Sequence, residues 1–259
     1  MNKLAILAFS LLMFFSTMLW YLANGSLNEY LKSQVTLQGH YYSGQITTVE
    51  KADFSSNTGT AIFTNIRLKN PDVFQNNYAL TIDEASIELA PLNTAELSQN
   101  SSAFEKKQDT ITTVEKLTIN TLVLNSEQSN NKNNIQLLTA QVNSQLAHDY
   151  PELYPAISAK LYAEQNPTLN ADSYAKNHPQ AGPIVAHTTP KKKRGKAQQK
   201  IAILAINIKT LILNTTQDGV TNSITKYDVN LSAIGKKEGL VANQLGGELL
   251  VNLLNLAKQ

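Results

Sequence analysis

The side chains that could do chemistry are few and scattered. Four histidines, His40, His148, His178 and His187, are the only imidazoles in 259 residues, and their separations match no zinc-ligand template. The chain has no cysteine, which excludes disulfides, thiolate metal sites and a thiol nucleophile. Asp83 and Glu84 are adjacent carboxylates, but in an extended segment neighbouring side chains point to opposite faces, so the pair reads as a surface or bulge feature. No G-x-S-x-G, H-E-x-x-H or P-loop pattern occurs, and such patterns are what place a nucleophile, a metal or a phosphate cradle. No catalytic, cofactor-binding or metal-binding residue is therefore assigned, and the expectation is a non-enzymatic protein without a cofactor. A basic run, Lys191 to Arg194, with Lys196 and Lys200 nearby, could meet anionic headgroups at about 1 kcal/mol per charge. In its polar surroundings it reads instead as a solvated loop. A net charge of +2 and a 16% content of charged residues give no global polyanion-binding signature, so nucleic acid is not an expected partner.

The segment Leu4 to Ala23 (LAILAFSLLMFFSTMLWYLA) is uncharged for twenty residues. As a helix it would be about 30 Å long, the thickness of the hydrocarbon core, with Trp20 and Tyr21 at interfacial depth. Ala23-Asn24-Gly25 also offers a peptidase-like site, but a cleavable signal has a shorter apolar core, so the length favours an uncleaved transmembrane anchor. Lys3 and the amino terminus keep the short end inside, which exports the remainder. The absence of cysteine after the run excludes a lipoprotein anchor.

Beyond the anchor, Ser26-Leu27-Asn28-Glu29 has the capping-box form, predicting a short helix to about Val35. Gly39 and Gly44 then bracket a break. Period-two alternation predicts strands over Thr60 to Lys69, Tyr78 to Ala90 and Ile111 to Leu124. Thr60, Ile62, Thr64, Ile66 and Leu68 fall on one face of the first of these. In the second, Leu80 and Ile82 are out of phase with Ala85, Ile87 and Leu89, which requires a bulge near Asp83-Glu84. Ile135, Leu138, Val142 and Leu146 predict a helix over Asn134 to Ala147. Six of the eight prolines lie between Pro151 and Pro190, and about Gln165 to Gln199 reads as a disordered insertion. A short helix over Tyr150 to Tyr162 precedes it.

Strands resume over Lys200 to Asn214 and Ser223 to Ile234, with Asp218-Gly219 between them predicting a hairpin with a slightly long loop. In the first, Leu204, Ile206, Ile208 and Ile212 form one apolar face, a candidate apolar surface, while Ile203, Ala205, Leu211 and Leu213 partly grease the other. A leucine-rich terminal helix from about Leu240 carries Leu245, Leu249 and Leu253 at four-residue spacing. Such a stripe can pack on its own sheet or against a membrane surface, and packing on the sheet is the expected use.

This order of elements resembles a known family. The uncleaved helix, the Gly-flanked Gly44 to Val49, the strand Gly59 to Lys69 running into Asn70-Pro71, the segment ALTIDEASIEL, and Val229 to Gly235 leading to a leucine-rich helix are similar to the AsmA-like proteins. These are anchored in the bacterial inner membrane and face the periplasm. The resemblance implies a curved antiparallel sheet packed with helices, related to β-groove units that line lipid conduits in larger members. Here a single unit is expected.

The expected architecture is α+β: residues 1–24 form the cytoplasmic tip and anchor, 25–149 and 200–259 the two parts of one exported domain, and 150–199 the insertion. The expected location is the bacterial inner membrane, single-pass and N-in, with the domain in the periplasm. Two functional readings follow. In one, an apolar sheet surface handles membrane lipid or serves envelope assembly. In the other, a closed core and a docking insertion make a tethered module for an envelope protein partner.

Overall fold

The computed structural model describes residues 27–90, 111–129, 131–165, 200–235 and 238–258. Leu4 to Ala23 and 166–199 lie outside them. Among the described residues no helix is long and apolar enough to cross a membrane.

Helix α1 spans 27–43, eight residues beyond the expected end. Gly39 does not break it, because a glycine is what that turn requires: a Cβ there would meet the Thr47 side chain at 2.4 to 2.8 Å. The helix stops at Gly44, which takes a φ of +66° that costs glycine little. Strands β1 (Thr47–Thr48), β2 (Lys51–Ser55), β3 (Thr60–Lys69), β4 (Tyr78–Leu89), β5 (Ile111–Ser129) and β6 (Lys132–Asn133) follow. Helices α2 (Asn134–Asp149) and α3 (Pro155–Gln165) lead to β7 (Lys200–Gln217), β8 (Val220–Leu231) and β9 (Leu240–Val241), and the chain ends in α4 (Ala242–Asn255) and a 3-10 turn (Leu256–Lys258).

The protein is thus α+β, with four helices among the described residues packed with an open, mixed and largely antiparallel sheet. Its order is β1-β3-β4-β5-β7-β8, with β2 beside β3, β6 beside β5 and β9 beside β7. One pairing corrects the antiparallel expectation: β5 and β7 run parallel, in a ladder from Ile111 and Lys200 to Glu127 and Thr216. Parallel neighbours need a crossover, and α2 and α3 lie in the chain between these two strands. The hairpin between β7 and β8 is tighter than expected. Gln217 pairs with Val220, leaving a two-residue turn whose Asp218 and Gly219 have φ of +51° and +79°, the signs a type I′ turn demands.

Helices α1, α2 and α4 share one face of the sheet, and α3 packs against α2. Ile135, Leu138, Val142 and Leu146 of α2 pack with Leu122, Leu124, Ile206, Ile208 and Leu211, joined by Leu253, Leu254 and Leu256 from the end of the chain. Leu31 and Val35 of α1 cover a smaller cluster of Val49, Ala52, Ala61 and Phe63. Gly247 lets the helices close up, since a Cβ there would lie 2.7 Å from Leu146 and 3.0 Å from Tyr42. The N-cap of α2 is Asn133, whose side chain accepts from the Gln136 amide, satisfying one orphan donor of the first turn.

Candidate functional site

Alternation decides which residues the sheet offers to solvent. Residues directly opposite one another in antiparallel strands share a face, so the register can be read across the sheet. Thr81, Val123, Ile212 and Thr225 form one row on the face away from the helices, and Asn125, Asn214 and Ser223 form another. A third row holds Ile62, Ser86, Thr118, Asn207 and Asn230. Neither Ile62, Val123 nor Ile212 belongs to a hydrophobic core. This face mixes hydroxyls and amides with isolated aliphatic side chains and also carries Tyr227, the Glu88–Lys116 pair and Arg67, which extends the first row beside Thr81. Many of its amides bond one another: Asn207 Nδ2 donates to Asn230 Oδ1 at 3.0 Å, and Asn214 Nδ2 to Asn125 Oδ1 at 2.8 Å.

The four residues expected to form one apolar surface do not. Ile206 and Ile208 are 1% and 0% exposed, buried beneath the helices. Ile212 faces the opposite side, and Leu204 is 45% exposed at a position that the β5–β7 ladder skips. Leu204 sits at a separate irregularity, where Glu115 also goes unpaired between Val114 and Lys116, whereas the cause for Ile212 is a crease crossing the sheet. The ladders are interrupted at Asn65, Asp83-Glu84, Asn120-Thr121, Lys209 and Asp228, while their register continues unchanged on either side. Burial switches phase at this line, from Phe63 to Leu68, Ile82 to Ala85, Ile119 to Leu122 and Ile208 to Leu211. Asn65 and Asp228 take φ of +49° and +52°, the left-handed conformation that asparagine and aspartate tolerate best among residues with a Cβ. The phase change expected at Asp83-Glu84 is therefore present, but without the expected bulge, since the register is unchanged there, and it is shared by the neighbouring strands. The single-face reading of Thr60 to Leu68 fails for the same reason.

The carboxylates at the crease serve the backbone. Asp83 Oδ1 accepts from the amides of Thr121 at 2.6 Å and Glu84 at 2.5 Å, and Glu84 Oε1 accepts from Asn120 Nδ2 at 2.6 Å. These bonds stand in for the missing ladder contacts.

Two polar clusters went unrecognised in the sequence. At one end of the sheet, Asn134 is fully buried and uses all of its amide's bonding capacity that matters. Its Oδ1 accepts from the Glu127 and Ile135 amides, while Nδ2 donates to Asn70 Oδ1 and the Asn125 carbonyl, all at 2.7 to 2.9 Å. Glu127, only 4% exposed, accepts from the amides of Gln75 and Asn76 and from Asn76 Nδ2 at 2.7 to 2.9 Å. The Asn70-Pro71 pair that ends β3 thus begins a loop tied down by a buried carboxylate. Both groups are engaged in holding the structure, while Asn70 Nδ2 beside them is buried without a partner.

The second cluster joins three helices. Tyr41 Oη donates to Asp149 Oδ1 at 2.9 Å, Tyr154 donates to Glu248, and Tyr150 lies between them beside Tyr42. The Tyr42 hydroxyl is buried without a well-formed hydrogen bond and has the Tyr150 hydroxyl as a polar neighbour. Burial pushes the phenols of Tyr42, Tyr150 and Tyr154 up from their ordinary value, reinforced by the charges of Asp149 and Glu248. Burial, then the bond to Asp149, raises Tyr41. Such phenols remain protonated donors that pin helices together.

Of the histidines, His40 Nδ1 lies 3.1 Å from the Gln45 carbonyl and His148 Nδ1 lies 3.1 Å from Asp149. His178, His187 and the Lys191 to Arg194 run fall outside the described residues. Among the described residues no three His, Asp or Glu side chains converge on a metal position.

The class that the fold defines is an α+β domain with a mixed open sheet, helices on one face and a polar face opposite. No family model matches this chain, and no curated protein or solved structure shows significant similarity to it.

Proposed function

We propose that this protein is a non-enzymatic, membrane-anchored envelope protein of AsmA-like character whose domain works as an interaction module. In this reading Leu4 to Ala23 hold the chain in the bacterial inner membrane, N-in, with the domain on the periplasmic side. The observation that carries it is the placement of Ile206 and Ile208. A lipid-handling groove needs a continuous apolar surface open to an acyl chain, because burying each methylene contributes about 0.8 kcal/mol. Here the most apolar strand spends that surface on Leu146 and Leu254 beneath the helices. What faces outward is a polar surface of hydroxyls and amides with Arg67, Glu88, Lys116 and Tyr227 among them, suited to polar partners.

Two experiments test the proposal. A reporter fused after Gln259 should read as exported, and a cytoplasmic signal would overturn the placement. Full-length protein extracted with its native membrane in a polymer disc, then moved to detergent, should retain no stoichiometric lipid. One tightly held lipid per chain would restore the groove.

A further inference from the structure

The two edges of the sheet are built differently. Beside β3 the sheet ends in the short strands β1 and β2, of two and five residues, and short edges are poor templates for pairing. At the other edge β8 runs for twelve residues and, among the described residues, pairs with β7 alone. Its first half, Val220 to Thr225 (VTNSIT), carries no charge, glycine or proline and is rich in β-branched residues. Val220 and Ile224 are 63% and 58% exposed, although their partners Gln217 and Leu213 place them on the helix side of the sheet. A free edge of this composition invites an added strand.

We infer that this edge pairs with the same edge of a second copy, forming a two-fold antiparallel β8–β8 junction centred on Asn222. The support is self-complementarity. In a two-fold pair, if residue i opposes j then j opposes i, and residues sharing a face must oppose each other for the sheet to continue. Centring on Asn222 sets Val220 against Ile224 of the second copy on the helix side and Thr221 against Ser223 on the open side. The same register brings the turn that holds Asp218 of one copy to the level of Lys226 of the other, within reach of its long side chain, an opposite-charge contact repeated at both ends. Centring one residue later would set Val220 against Lys226. Centring on Ile224 would set Val220 against Asp228 and Asn222 against Lys226. Only the Asn222 register matches apolar with apolar and acid with base. The turn at Asp218-Gly219 ends the edge on one side and Asp228, with a φ of +52°, interrupts it on the other, so strand pairing in this register is confined to Val220–Ile224, flanked by the Asp218–Lys226 contacts. The inference rests on β8 and is independent of the function proposed above.

The absence of native cysteine permits a clean test on the full-length purified chain, with mass measured in solution and mild oxidation of single-cysteine variants. The expected result is a dimer in which Asn222→Cys cross-links efficiently. Thr225→Cys should not, because Thr225 opposes Gly219 and the two sulfurs would be about 20 Å apart along the strands. Lys226→Asp, which sets two acids against each other, should abolish the dimer, and adding Asp218→Lys should restore it. A monomeric chain, equal cross-linking at position 225, or a dimer untouched by Lys226→Asp would overturn the inference.

Discussion

The two faces of one sheet have been put to opposite uses. On the helix side Leu122, Leu124, Ile206 and Ile208 are sealed under α2 and the end of the chain. On the other side the same strands present Thr121, Asn125, Asn207 and Thr210. The parallel pair β5 and β7 makes the contrast sharpest, because both strands are rich in apolar residues and yet bury them mainly in one direction. The crease at Asn65, Asp83, Asn120, Lys209 and Asp228 is what permits this: it reverses the facing of β3, β4, β5, β7 and β8 at the same level, so that both halves of β4, β5 and β7 feed one core. A sequence that seems greasy on both faces thus needs only one cover.

The comparison is broken most severely on the sealed side. Leu254 is completely buried, and Leu254→Ala should cost about 3 kcal/mol or more in denaturant unfolding, by lost burial plus the cavity left behind. Glu127→Ala should cost about 2 kcal/mol, since three N–H donors of the loop after Pro71 lose their acceptor. Its signature would be faster hydrogen exchange confined to 70–77.

Alkali provides a test of the helix layer. Tyr42, Tyr150 and Tyr154 have phenols raised by burial and neighbouring carboxylates. A raised folded value means that the unfolded chain loses protons first as pH climbs. Their contribution should be fully present below about pH 10 and fall away above it. Tyr154→Phe should flatten that decline in a series of unfolding midpoints against pH. At the crease, Asp83→Ala should cost about 1 kcal/mol by leaving the Thr121 amide without its acceptor. The smallest effect belongs to the open face, where Ile212→Thr keeps a β-branched residue and should change stability by less than about 0.5 kcal/mol.

Much of the local structure was legible in the residues. Strand β3 has the bounds its alternation predicts, because Gly59 and Pro71 punctuate it. Helix α2 buries the four residues its periodicity selects, Ile135, Leu138, Val142 and Leu146. What escaped is whatever depends on neighbours in space. The one-face reading of Leu204, Ile206, Ile208 and Ile212 assumed unbroken alternation, and Lys209 bears no mark that its strand turns over there. The crease becomes visible only when five strands are aligned. Parallel pairing of β5 with β7 depends on where α2 and α3 return the chain, which periodicity does not encode. The Asn70–Asn134 bond joins residues 64 positions apart, and the only local hint of it was a pair of asparagines opening a helix. The hairpin at Asp218-Gly219 was legible, but its slightly long loop was not borne out, because both strands extend to Gln217 and Val220 and leave a two-residue turn.

The central claim is that the apolar side of this sheet is closed. Maleimide labelling of two single-cysteine variants of the otherwise cysteine-free chain tests it directly. Under native conditions Ile212→Cys should react readily, whereas Ile208→Cys should stay protected until the protein unfolds globally. Comparable fast labelling at both positions would contradict the account, because it would mean that the helices lift and expose an apolar groove.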